Sequence, residues 1–116
     1  MSRRLAKVNS LLVEVISEAI RRDVKDHRIP ELITVMESDV SADLKHAVIT
    51  VSVIGDEKHK KETIELLNEL RTQIAFCARD KVSLRYFPHL RFVLDESVDK
   101  QMRIEELLRD IKEKES

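Results

Sequence analysis

Glycine occurs once in the 116 residues, at Gly55. Loops that cradle phosphates, such as G-x-G-x-x-G and the P-loop, need several glycines so that backbone N–H groups can approach the anion. Neither can be written on this chain, which argues against nucleotide-driven chemistry. Cysteine also occurs once, at Cys77. It has no partner for an internal disulfide, which fits a reducing cytoplasm, and it suits a small buried position in a helix. Tryptophan is absent, and the aromatics are Tyr86 and three phenylalanines. A sheet that stacks bases needs exposed rings on its strands. The clearest strand has none, so any RNA binding is expected to run through backbone electrostatics and shape. No apolar run reaches the ~18 residues that span a membrane. Glu14 and Glu18 interrupt the apolar stretch that follows Arg3 and Arg4, unlike a secretory leader. The histidines, His27, His46, His59 and His89, lie far apart without ligand spacing, so neither metal nor cofactor is expected. Asp43, Asp56, Asp95 and Asp99 fall at turns and caps, where aspartate serves the backbone. No catalytic group stands out, and the chain is not expected to be an enzyme.

What is present is charge and periodicity. Charged residues make up 37% and apolar ones 42%, a globular balance in a length that suits one domain with its own core. The net charge of −1 hides an alternation. Residues 1–29 carry +3, 30–57 carry −5, 58–91 carry +4 and 92–116 carry −3. A basic face forms if the first and third segments pack side by side; otherwise the charges are a solvated, helix-rich surface.

Leu5, Val8, Leu12, Val15, Ile16 and Ala19 recur at helical spacing, with Arg3, Arg4, Lys7, Glu14 and Glu18 off the stripe. Ser2 can cap that helix. The helix is expected to end near Lys25, before a turn over Asp26–Pro30, because Pro30 disfavours helical geometry at Ile29. Two strand-like runs follow, Ile33–Val40 and His46–Val53, around the break Ser41–Lys45. In the second, Ala47, Ile49, Val51 and Val53 share one face. The first loses its alternation after Val35, which predicts a bulge or an exposed edge. Ile64, Leu67, Leu70, Ile74, Cys77 and Ala78 mark a helix over 58–81. Leu90, Phe92 and Leu94 alternate as a third strand, and Ile104, Leu107, Leu108 and Ile111 suit a last helix. The order is α-β-β-α-β-α, helices on one face of a three-stranded sheet.

These residues resemble ribosome-binding factor A, a family of small-subunit maturation factors. Arg4-x-x-Lys7-Val8 is similar to its opening helix motif, R-x-x-R-V. Asp26-His27-Arg28-Ile29 is similar to its D-P-R-[LVI] turn, with histidine for proline. Ile33-Thr34-Val35 with Val40-Ser41-x-Asp43-Leu44-x-x-Ala47 resembles its hairpin, the most specific piece. Leu84-Arg85, Pro88-x-Leu90-x-Phe92, Asp95-Glu96-Ser97, Arg103-Ile104 and Leu107-Leu108 follow in family order. The resemblance implies an α+β, KH-like fold of type II topology: one domain over 1–116, α-β-β-α-β, with a C-terminal helix from about residue 96. It also implies binding to the immature 30S subunit and its 16S rRNA, possible contact with ribosomal proteins, a monomeric cytoplasmic protein and no catalysis. The family's A-x-G helix kink falls on Leu70-Arg71-Thr72. Neither small residue is kept, so the helix is expected to run through or to bend only weakly.

Two functions fit. As an RNA-binding assembly factor, the chain would contact phosphates through Arg3, Arg4, Lys7, Arg28, Arg71, Arg79, Lys81 and Arg85. Arg3 and Arg4 equally suit a solvated terminus, Arg71 a helix-surface charge, and Arg79 and Lys81 a helix C-terminus. Arg85 has no such local role. As a protein-interaction or dimerisation module, the chain would instead pair through the edge of its first strand.

Overall fold

Arg3–Glu18 forms helix α1, and its spacing decides which side is buried: Val8, Leu12, Val15 and Ile16 face inward. A computed structural model of the chain describes residues 3–96. The last turn of the first helical segment, Ala19–Asp23, widens into a π-helical turn, closed by Val24 N–H donating to Ala19 O at 2.9 Å. Ala19, Ile20 and Val24 are all buried there. The expected end near Lys25 is thus met within two residues. The change of helix type has no marker in the sequence.

Strands β1 (Ile33–Val40) and β2 (His46–Val53) pair antiparallel. The register slips between Val35 and Glu37, so Met36 is the bulged residue. The slip re-aims the strand: Val35 is buried before it, and Ser38 and Val40 after it. β1 is also an edge strand, since the sheet order is β1-β2-β3. Both explanations for the lost alternation therefore apply. β3 (His89–Leu94) runs parallel to central β2, with His46 opposite His89 and Ile49 opposite Phe92. A parallel partner needs a long crossover, which the helices between β2 and β3 supply.

The helix expected over 58–81, continuous or bent only weakly, is divided in the structure at Leu70. Helix α2 covers Glu57–Glu69 and helix α3 covers Arg71–Arg79, with Leu70 between them at φ −90°, ψ 3°. Leu70 N–H still reaches Leu66 O, and Ile74 N–H reaches Leu70 O, both at 2.9 Å. The break stands at the family's kink position without the family's small residues. Leucine and arginine both favour a continuous helix, so packing overrides propensity. Leu70 is half-buried against the core. The break lets α2 lie along β3 while α3 turns back to meet α1 and the π-helical turn.

The core is continuous between helices and sheet. Leu12, Ile16, Ile49, Val51, Leu67, Ile74 and Phe92 are its largest fully buried side chains, each contributing about 1.5–3 kcal/mol by burial. The inner face of β2 is Ala47, Ile49, Val51 and Val53, as the alternation requires. This is the α+β, KH-like arrangement of α-β-β-α-β order. The expected last helix, with Ile104, Leu107, Leu108 and Ile111, lies outside the described residues, as does the Ser2 cap.

Two asparagines close the edges of the sheet. Asn9 of α1 accepts Val40 N–H at 2.8 Å on the outer side of β1. Asn68 of α2 accepts Phe92 N–H at 2.8 Å and donates to Phe92 O at 2.9 Å, as a neighbouring strand would. Each satisfies backbone groups that an edge strand otherwise leaves open.

Candidate nucleic-acid interface

The hairpin motif resolves into a turn device. Asp43 Oδ1 accepts from Ser41 Oγ at 2.6 Å and from Lys45 N–H at 3.0 Å, and Leu44 adopts φ +62°. The Ser41 bond first, and the Lys45 bond second, lower the Asp43 pKa. The turn in turn positions β3, because Lys45 O accepts His89 N–H at 2.8 Å. His46 and His89 therefore start adjacent strands side by side, with ring centroids 5.6 Å apart.

That end of the sheet meets the break between α2 and α3. Two adjoining depressions there share Arg71, His89 and Leu90. One runs over the sheet face and β3 edge, past His46, Val48, Asn68 and Arg91. The other, about 240 Å³, lies between α3 and the loop before β3, with Thr72, Ala75, Phe76, Arg79, Phe87 and Pro88. Three arginines, Arg71, Arg79 and Arg91, and two histidines line this cleft, and among the described residues no carboxylate does. In a chain with as many acids as bases, that separation is a local positive field.

The eight sequence candidates divide accordingly. Arg71 and Arg79 come together in the cleft. Arg79 also lies over the Phe76 ring, 4.5 Å from its centroid. Arg85 sits in the loop before β3, its guanidinium 5.5 Å from the Tyr86 ring centroid. Arg3, Arg4 and Lys7 are exposed on the outer side of α1 and do not line the cleft; Lys7 shares a shallow hollow with Glu14. Arg28 is held by Asp26 through bonds of 3.0 and 2.8 Å from its guanidinium and 2.9 Å from its backbone N–H. These bonds pull the Asp26 carboxyl down to about 2 and raise the Arg28 pKa. Lys81 is bound by Asp23 at 3.0 Å and Glu18 at 3.4 Å, the Asp23 bond being the first cause of its raised pKa. Arg28 thus braces its own turn, and Lys81 ties the chain after α3 to the end of α1 and the π-helical turn, besides carrying charge. A roomier hollow of about 710 Å³ near β1 mixes Arg21, Arg22 and Lys25 with Asp26 and Glu31.

Sequence reasoning missed His46, His89, Arg91 and Phe76. Alternation already set His89 and Arg91 opposite Leu90 and Phe92. What the sequence lacks is the parallel register that sets them beside His46 and Val48.

Comparison with known proteins decides the family. The ribosome-binding factor A model matches residues 4–108. The chain belongs to the ribosome-binding factor A family. A ribosome-binding factor A of Protochlamydia amoebophila is 55% identical over 114 residues, covering 97% of this chain and 87% of that protein. The crystal structure of ribosome-binding factor A from Thermus thermophilus matches with a TM-score of 0.67 at 21% identity, over 78% of this chain and 94% of that one. A homology model of the Thermus thermophilus factor, fitted into an electron cryomicroscopy map of its 30S complex, matches with a TM-score of 0.61 at 19% identity, over 76% of this chain and 91% of that one. At such identities the two structures show the shared fold. Among the described residues no helix is long and apolar enough to cross a membrane.

Proposed function

We propose that this member of the family is a non-catalytic assembly factor that binds the immature 30S subunit and assists maturation of its 16S rRNA. It acts in the cytoplasm as a monomer, with residues 1–116 forming one domain. The family membership supports the ribosomal target, and the Thermus thermophilus relative was fitted into a 30S complex. The observation that carries the RNA contact is the cleft at the α2–α3 break, where Arg71, Arg79, Arg91, His46 and His89 meet no carboxylate among the described residues. Arginines on a concave surface hold phosphates through paired N–H groups, without reading bases. Arg3, Arg4, Lys7, Arg28, Lys81 and Arg85 extend the phosphate contacts outward from it.

Edge pairing with a protein partner is the weaker function. The bulge at Met36 and the Asn9 side chain on Val40 N–H both obstruct a strand added to β1. Salt dependence separates the two. Phosphate contacts give a log–log slope of roughly −0.7 to −0.9 per contact, whereas strand pairing gives a shallow one. Binding of the full chain to small-subunit precursors, measured over a salt series, should show the steep slope. A flat salt series would overturn the phosphate model.

A further inference from the structure

Phe76 stands on the outward side of α3, where the inward positions are Ile74 and Ala78. It is 57% exposed, and the core beneath it is complete without it. Arg79, one turn on, covers the ring from 4.5 Å. A guanidinium at that distance attracts the ring's negative face and fixes its orientation. The pair forms one wall of the cleft, facing His89 and Phe87. A flat apolar ring that is braced by a cation and set in a positive groove offers two things at once. The ring offers a stacking surface that every base can use, and the arginines offer a track for the phosphates on either side.

Resting on the RNA-binding function above, we infer that Phe76 and Arg79 form a stacking ledge for an unpaired base, so that the cleft selects single-stranded over duplex RNA. A duplex keeps its bases stacked on one another and leaves the ledge unused. A single strand unstacks one base onto Phe76 while Arg71 and Arg91 hold the flanking phosphates. The scarcity of aromatics on the strands does not exclude such stacking, because the ring is carried by the helix beside the sheet.

The test uses the full chain, a short oligouridylate with a fluorescent adenine analogue at its centre, and a blunt RNA duplex of equal length. Phe76→Ala should weaken single-strand binding roughly tenfold, abolish quenching of the analogue, and leave the salt slope and duplex binding unchanged. Phe76→Tyr should restore both affinity and quenching. Arg71→Gln should weaken both RNAs and reduce the salt slope. Since Phe76 is on the surface, the melting temperature of each variant should match the parent. Unchanged single-strand affinity in Phe76→Ala, with Arg71→Gln still weakened, would overturn the ledge and leave the cleft as a phosphate track. Indifference of both RNAs to Arg71→Gln would refute the RNA function itself. Loss of precursor association in Phe76→Ala with oligonucleotide binding intact would assign the ring to a protein contact and also overturn the ledge.

Discussion

Asp26 and Arg28 show how a single pair ties charge to stability. The Asp26 carboxyl falls from its ordinary 3.8 to about 2, first through the Arg28 guanidinium and then through the Arg28 backbone N–H. A carboxyl more acidic in the folded chain stabilises the fold above its unfolded pKa, and that stabilisation fades as pH falls from about 3.8 to about 2. Asp26→Asn should therefore lower the melting temperature at neutral pH and flatten its decline across that window. An acid limb identical to the parent's would show that the pair contributes nothing. Gly55 gives a second test at this scale. Its φ is +150°, and an added Cβ would lie 2.5 Å from His59 Cδ2. Gly55→Ala should cost about 1 kcal/mol or more in denaturant unfolding. His59→Ala in the same chain should recover the part due to collision and leave the part due to the backbone. Asp26 was visible in the sequence as a turn residue and Gly55 as the lone glycine. Their partners were not, because only the folded backbone sets those distances.

At the scale of elements, periodicity reported what faces the core and missed what long-range packing imposes. The stripe of α1 and the alternation of β2 were legible because each residue's environment follows from its own neighbours. Val51 is fully buried and Thr50 half-buried. Val51→Asp should thus unfold the chain or cost more than about 3 kcal/mol, and Thr50→Asp far less. Equal melting temperatures for the two would mean that the strand faces are reversed. The π-helical turn has no marker in the sequence, and the break at Leu70 was legible only as the place of the family's kink, since Leu70 and Arg71 are good helix formers and packing decides. Asn68 carries no mark in the sequence, yet it pairs with the backbone of Phe92, twenty-four positions away. Asn68→Ala leaves that N–H and C=O without their partner and should cost about 1–3 kcal/mol. Glu65→Ala, at an exposed position of the same helix, should cost far less. If chemical denaturation ranks the Asn68 variant as the milder one, the edge-closing role is wrong.

On the scale of the whole molecule, the chain's alternating charge becomes a cleft. Arg71 and Arg79 come from one basic segment and are joined by His89 and Arg91, while His46 arrives from the otherwise acidic hairpin segment. The segment count pointed to Arg71 and Arg79 but could not show that the hairpin end contributes too. Asp43, read from the sequence as a turn residue, holds the hairpin turn, so that neutralising it would loosen the hairpin rather than test a surface. Asp39, exposed on β1, is the cleaner acidic control. The central claim is that this cleft holds the chain on small-subunit precursors, and gradient sedimentation of tagged protein with ribosomal particles tests it most directly. The parent should travel with the small-subunit precursor. A variant carrying Arg71→Glu and Arg79→Glu should stay at the top of the gradient with its stability within about 1 kcal/mol of the parent, the acid in the last turn of α3 opposing the helix dipole. Asp39→Asn should travel as the parent does. Continued co-sedimentation of the double variant, with release of the Asp39→Asn chain, would contradict the account and move the contact surface to the β1 edge.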